Sequence, residues 1–354
     1  MKKKLAIALS MVMVMSLGLT ACGGGSGGGE KSSAGGSSSG GTSSGGNQSV
    51  VETVKGGKEG GTSLTFTTGG DQGTYYGFGG VLAGKVGEST STTVKAITSG
   101  GSQANIEAMD MGDAQLGFVQ TDVGAYAYGG TRLFEDNKID NFSTVANLYM
   151  EQVQIVTLDE NIKSVADLAG KNVSVGAAGS GVYYNAVDVL GAYGLDVEKD
   201  INPTYQSFGD SAESLQDGKI DAAFVVAGAP TTAITSLAAT KPVYLVSLDE
   251  EHINTLMETS PYYTTNTITK DVYNTPEDVT TVAVGAVVIA RDDVSNEDVY
   301  NFLYGVYENL EGITAAHAKG SELNLEFGAS YEAVPYHPGA VEYFREKGIE
   351  VPSK

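Results

Sequence analysis

From Leu64 onward the chain repeats one pattern: a short apolar segment, a loop of Gly, Ser and Thr, then a stretch with helical spacing. Leu64–Thr67 leads into TGGDQGTYYG and FGGVLAGKV, and Val94–Ile97 into TSGGSQ and ANIEAMDMGD. Leu116–Val119 leads into QTDVGAYAYGG, Val173–Val175 into GAAGSGVYYNAVDVLGAYG, and Ile220–Val226 into AGAPTTAITSLAAT. Short apolar runs bounded by turn residues predict strands, and the segments after them predict helices. Capping signals add three helix starts. Asp210-Ser211-Ala212-Glu213 has a capping-box pattern, Ser295 precedes VYNFLYGVYENL, and Pro338 opens a last helix that Gly348 closes. Strands alternating with helices predict a parallel or mixed α/β sheet with right-handed crossovers. Two apolar stretches break the rhythm, Val153–Val156 and Val282–Ala290. They are too apolar for surface linkers and read as strands crossing between two lobes, residues 62–153 with 282–354 and residues 154–281. The pattern also fits two ordinary core strands of one large sheet.

The first 61 residues carry a different pattern. Lys2, Lys3 and Lys4 precede an apolar run from Leu5 to Leu19, shorter than the ~20 residues a spanning helix needs. This is the layout of a secretory signal over residues 1–21, with a retained short anchor as the alternative. Leu19-Thr20-Ala21-Cys22 resembles a bacterial lipobox, which implies acylation of the Cys22 sulfur and attachment to the extracytoplasmic face of the cell membrane. Residues 23–61 contain 16 Gly and 9 Ser. Such a segment cannot bury enough apolar surface to offset its ordering entropy, so residues 22–61 are expected to be a flexible tether with a reach of about 35 Å.

Charge narrows the range of partners. The 354 residues include 21 Lys and Arg against 43 Asp and Glu, a net charge of −22, and the body after the tether holds 15 basic and 40 acidic residues. A phosphate backbone needs a basic face, so nucleic acid is excluded as a direct partner. One Cys excludes a disulfide, and three dispersed histidines (His252, His317, His337) argue against a metal site. No metal or cofactor is expected, and a monomer is expected.

In a wound α/β sheet, ligands sit beyond the carboxyl ends of the strands. Here those ends are glycine loops opening helices, where free N–H groups and the helix dipole attract anions. Several such loops together could hold a carboxylate without arginine, of which the chain has three, Arg132, Arg291 and Arg345. Gln72, Thr74, Tyr75, Tyr76, Ser102, Gln103 and Ser180 supply hydroxyls, amides and aromatic walls. Gln120 and Asp122 follow a strand end, and Asp122 is suited either to neutralising an ammonium or to capping a helix. Glu151, before the first crossing strand, reads as a solvated charge, with a hinge or site carboxylate as the alternative.

Enzyme motifs are poor. GAAGSG lacks the Lys-Ser/Thr of a P-loop, and Gly179-Ser180-Gly181 is not a nucleophile elbow. His317 reads as helix surface and His337 as a helix cap. No catalytic residue is expected; a hydrolase using Ser180 and a tethered sensor without transport are the alternatives to a binding protein.

GDQGTYYGFGG, SGGSQANIEAMDMGDAQLGFVQTD, VADLAGKNVSVGAAGSG, DAAFVVAGAPTTAI and YHPGAVEYFREKG occur in that order. Together, over about Thr62 to Val351, they closely resemble the TAXI branch of substrate-binding proteins for TRAP (tripartite ATP-independent periplasmic) transporters. Gly77 departs from the pattern, standing where the TYY motif usually continues into proline. The resemblance implies a two-lobed, periplasmic-binding-protein type II-like α/β fold whose crossing strands act as a hinge. It also implies a small carboxylate or amino-acid ligand, of glutamate, glutamine or 2-oxoglutarate type, delivered to TRAP membrane subunits. The contacts it implies are Thr74, Tyr75, Tyr76, Ser102, Gln103, Gln120, Asp122, Ser180, Gly181, Val182, Ala227, Gly228 and Ala229. Replacement of Tyr75 by Ala is expected to weaken binding and leave the fold intact.

Overall fold

The structure, a computed structural model, describes residues 55–354. The expected signal peptide, Cys22 and the tether as far as Val54 lie outside the described residues. Strand–helix modules build the body in order. β1 (Ser63–Thr67) leads to α1 (Thr74–Ser89), β2 (Thr93–Ile97) to α2 (Ser102–Asp110), and β3 (Leu116–Gln120) to α3 (Thr121–Gly129). The 16-residue β4 (Phe142–Thr157) follows, then β5 (Asn172–Ser174), α4 (Val182–Ala192), β6 (Asn202–Thr204) and α5 (Phe208–Gln216). Next come β7 (Ala222–Ala227), α6 (Thr232–Ala238), β8 (Tyr244–Leu245), α7 (Glu250–Thr259) and β9 (Thr264–Ile268). The 13-residue β10 (Val279–Arg291) returns the chain to α8 (Asn296–Tyr307), α9 (Leu310–Ala316), α10 (Leu325–Gly328) and α11 (Pro338–Glu346).

Among the described residues these strands form one mixed sheet in the order β2-β1-β3-β10-β4-β7-β5-β6. It holds two parallel triplets, β2-β1-β3 and β7-β5-β6, separated by the antiparallel pair β10 and β4. Both middle strands change partners along their length. β10 pairs with β9 through Val279–Ala283 and with β3 through Ala286–Ala290, while β4 meets β10 through Phe142–Gln152 and β7 through Gln152–Thr157. Each contributes to four apolar clusters, of which the two largest show the division along its length. Val145, Leu148, Ala286 and Val288 pack with Phe66, Phe78, Phe302 and Phe344, whereas Val153, Ile155, Val282 and Val284 pack with Val173, Leu190, Phe224 and Ile253. A strand feeding four cores must be apolar along its whole length, which is the physical reason for the run Val282–Ala290.

Most predicted helix signals are realised. The Ser295 side chain caps α8 at the N–H of Asp298, and α11 starts at Pro338 with His337 as its cap, Nδ1 accepting from Gly339 N. The Asp210 signal is displaced. α5 begins at Phe208 and its cap is Ser207, whose hydroxyl accepts from Asp210 N at 3.1 Å. A serine three residues before an acid is the better cap, and Asp210 sits in the first turn where the dipole favours it. His317, expected on a helix surface, instead ends α9; its Nδ1 accepts from Lys319 N and its ring lies 5.0 Å from that of Phe78. Residues 55–61, expected to be tether, are held on the body. Gly56 N donates to Ser89 O, Lys58 N to Asn301 Oδ1 and Gly61 N to Ser91 Oγ.

Candidate functional site

The carboxyl ends of the two parallel triplets face one another across a cleft of about 580 Å³, counting its open mouth. Gly69, Gly70 and Gly73 line it after β1, Ser99 to Ser102 after β2, and Gln120 at the end of β3. From the other triplet come Ala177 and Ser180 to Val182, Ser207 and Phe208, and Val226 and Ala227. Glu151 of β4 completes the lining.

The three helices α1, α2 and α4 open on this cleft with glycine at the N-cap: Gly73, Gly101 and Gly181, none with a side-chain cap hydrogen bond. Of their first-turn N–H groups, Ala104 N of α2 and Tyr184 N of α4 already donate to backbone carbonyls, and those before them are left to whatever enters. α5, α7 and α8 are closed by side chains, Ser207 at the cleft and Asp249 and Ser295 away from it, whereas α6 and α9 have no side-chain cap. Gly101 has φ +109°, a conformation that a side chain would strain. Its loop meets the α4 loop directly, Ala104 N donating to Gly179 O at 3.0 Å. Gly181 is a close approach: a Cβ there would lie 1.6 Å from Gln120 Oε1. Two buried polar atoms of the lining, Ser180 Oγ and Gln120 Oε1, have no hydrogen-bond partner among the described residues.

Among the described residues the only carboxylate on the cleft is Glu151, 2 % exposed. Tyr75 donates its phenol proton to Glu151 Oε2 at 2.6 Å. Burial pushes the Glu151 carboxyl up to about 8; the Tyr75 hydrogen bond pulls it down, Asp122 pushes it further up, and Lys319 opposes. Burial also raises the Tyr75 phenol well above its ordinary value, so it remains a donor. No Lys, Arg or His lines the cleft, and no three His, Cys, Asp or Glu side chains converge as a metal-ligand set among the described residues.

The cleft brings together eight of the expected site residues: Thr74, Tyr75, Ser102, Gln120, Ser180, Gly181, Val182 and Ala227. The remaining six lie outside its lining. Tyr76 points outward, 38 % exposed, and Gln103 lies along α2, its Nε2 donating to Glu107 at 2.8 Å. Gln72 sits at the rim against Gly209, and its carbonyl accepts from Ala233 N. Gly228 accepts from Thr74 Oγ1 at 2.8 Å behind the lining, and Ala229 N donates to Gln152. Asp122 neither faces the cleft nor caps a helix by the usual geometry; the N-cap of α3 is Gln120. Asp122 is fully buried and accepts from Asn185 Nδ2 at 3.0 Å, while Asn185 accepts from Gln120 Nε2 and also donates to Tyr263. Desolvation pushes the Asp122 carboxyl up to about 7 despite these donors.

Three contributions escape the sequence reading. Glu151 is not a solvated charge, because β4 begins eleven residues before the stretch read as a strand and carries this side chain into the interior. Ser207 and Phe208 were hidden by the misplaced start of α5. Tyr75 is also core: its ring stacks on Phe118 at 4.6 Å, so its replacement by Ala cannot leave the fold untouched.

Two parallel triplets, each followed by an antiparallel strand and all loops turned to one shared cleft, define an α/β fold of the type II periplasmic-binding-protein kind. The chain belongs to the NMT1-like family, whose profile matches residues 66–348. Among solved structures it is similar to the periplasmic aliphatic sulphonate binding protein SsuA of Escherichia coli (16% identity, 81% of this chain and 91% of that chain, TM-score 0.43). It is also similar to the alkanesulfonate-binding protein SsuA of Xanthomonas axonopodis pv. citri bound to MOPS (13% identity, 80% and 90%, TM-score 0.45). A third is the GluR0 ligand-binding core of Nostoc punctiforme in complex with L-glutamate (15% identity, 73% and 99%, TM-score 0.43).

Proposed function

We propose that this protein is an extracytoplasmic solute-binding protein. It captures a small carboxylate solute, of the glutamate, glutamine or 2-oxoglutarate class, and delivers it to the membrane subunits of a TRAP transporter. Capture proceeds by closure of two lobes, residues 62–153 with 282–354 and residues 154–281, about β4 and β10. The observation that carries the reading is the convergence of three glycine-capped helix N-termini on a cleft without a basic side chain. Backbone N–H groups then do what arginine does elsewhere, and the unpartnered Ser180 Oγ and Gln120 Oε1 supply further polar contacts. The partner assignment rests on the sequence motifs, and the anchor on Cys22.

Binding is favoured over a Ser180 nucleophile because, among the described residues, Ser180 Oγ has no hydrogen-bond partner, and a serine nucleophile needs a base within hydrogen-bond reach. Among the described residues no helix is long and apolar enough to cross a membrane. A thermal-shift panel of amino acids and dicarboxylates tests the ligand class. A true ligand at a hundredfold excess over Kd stabilises by about 2.7 kcal/mol, and a panel without any shift overturns the assignment. Replacing Cys22 by Ala is expected to move the protein from the membrane fraction to the soluble one; retention overturns the anchor.

A further inference from the structure

We propose that Glu151 is the seat of an ammonium group on the solute and gives up its proton when that group binds, so that the cleft takes α-amino acids in preference to the corresponding oxo acids. This rests on the solute-binding reading and narrows it.

Tyr75 reaches the Glu151 carboxyl from α1, Tyr149 stands two residues earlier on β4, and Asp122 approaches from α3. Lys319, on the turn Ala318–Glu322, is the nearest cation, but its ammonium is already engaged by Glu322 Oε1 at 2.5 Å. β10 presents Val284 opposite Glu151 in the sheet. Glu151 therefore has one hydrogen-bond donor and no cation of its own, and burial keeps it protonated at neutral pH. A carboxyl in that condition ionises when a positive charge is brought to it.

Elsewhere the lining has the opposite character. The first N–H groups of α1, α2 and α4, ahead of Ala104 N and Tyr184 N, which donate to backbone carbonyls, and the buried Ser180 hydroxyl suit a carboxylate. A small molecule with both a carboxylate and an ammonium satisfies both ends. An oxo acid offers only a carbonyl to Glu151, which can accept a hydrogen bond but forms no ion pair.

The Glu151 O–H bond breaks, its proton leaves to solvent, and the ammonium keeps its three protons, so the complex holds one proton fewer than the separate partners. Release on binding makes affinity rise with pH below the Glu151 value, about tenfold per pH unit.

Calorimetry of the full chain tests this at pH 6 and pH 7, with L-glutamate, L-glutamine and 2-oxoglutarate, in two buffers of different ionisation enthalpy. The expected result is about one proton released per amino acid at pH 6, none with 2-oxoglutarate, and about tenfold tighter amino-acid binding at pH 7. Glu151→Gln should abolish release and its pH dependence, while Asp122→Asn should retain both. Amino-acid binding without proton release, tighter binding of 2-oxoglutarate, or release lost in Asp122→Asn rather than Glu151→Gln overturns the inference alone. Binding of none of the three compounds overturns both the inference and the reading beneath it. The wild-type buffer dependence stands as a test even if Glu151→Gln fails to fold.

Discussion

The phenol of Tyr75 donates to Glu151 Oε2 at 2.6 Å, tying the first turn of α1 to the middle of β4 at the floor of the cleft. Phenylalanine at position 75 keeps the stack on Phe118 and removes only that donor. Tyr75→Phe should therefore fold normally by circular dichroism and bind ligand about tenfold more weakly, the worth of one hydrogen bond to a charged group. Tyr75→Ala should in addition lose about 3–5 kcal/mol of stability, as aromatic-to-alanine changes in cores do. Equal melting temperatures for Tyr75→Ala and wild type would refute its place in the core.

Ser180 offers a cleaner test of the cleft. Its buried hydroxyl has no partner among the described residues, so removing it leaves none of their groups stranded. Ser180→Ala should melt within a degree or two of wild type and bind ligand more weakly by about 0.5–1.5 kcal/mol. Unchanged affinity would place the ligand away from the α4 loop.

Gly181 and Gln120 meet across the cleft more closely than a side chain allows, a Cβ on Gly181 falling 1.6 Å from Gln120 Oε1 and 3.0 Å from Val123 Cγ2. Gly181→Ala must turn the Gln120 amide aside and break its bond to Asn185, at a cost of about 1–3 kcal/mol. The expected signature is a lower melting temperature and weaker binding. A variant that melts and binds as wild type does would show that the amide turns aside freely.

Asp122 gives a pH dependence with a definite sign. Its folded value of about 7 lies above the ordinary aspartate value of 3.8, so across this interval the native state keeps a proton that the unfolded chain has lost. The contribution to stability is present below the unfolded value and disappears as pH rises through the folded one. Glu151 acts in the same direction up to about 8, whereas burial of His317 and His337 lowers their values and opposes it on the acid side. Comparing variant with wild type isolates one group. The stability of Asp122→Asn relative to wild type should improve by about 2–3 kcal/mol between pH 5 and pH 8. A difference that does not change with pH would mean that Asp122 is already ionised at pH 5.

Local pattern carried a large part of the architecture. Strand, glycine loop and helix recur because each module uses short-range signals: apolar runs for β1, β3 and β7, and caps for α8 and α11. β4 was only half legible, because Ser143, Thr144, Asn147 and Glu151 interrupt its apolar run. Those residues are buried through distant partners, Thr144 Oγ1 donating to Val334 O and Glu151 accepting from Tyr75. A polar residue in a strand reads as exposed until the group that satisfies it is known.

The site divides in the same way. Glycine loops at strand ends marked where it lies, yet neighbouring residues within a loop diverge. Ser102 lines the cleft while Gln103 lies along α2, and Tyr75 enters where Tyr76 turns outward. Successive helical residues point about 100° apart, and the rotation of each helix is set by the core packed against its other face. The sequence by itself therefore determined the modules, the acidic body with few arginines and the position of the lone cysteine. The tertiary structure alone decided which side chain of each loop meets the others, and that a carboxyl reading as surface charge stands buried at the floor. That difference has one cause: side-chain direction and burial follow from packing between segments far apart in the chain.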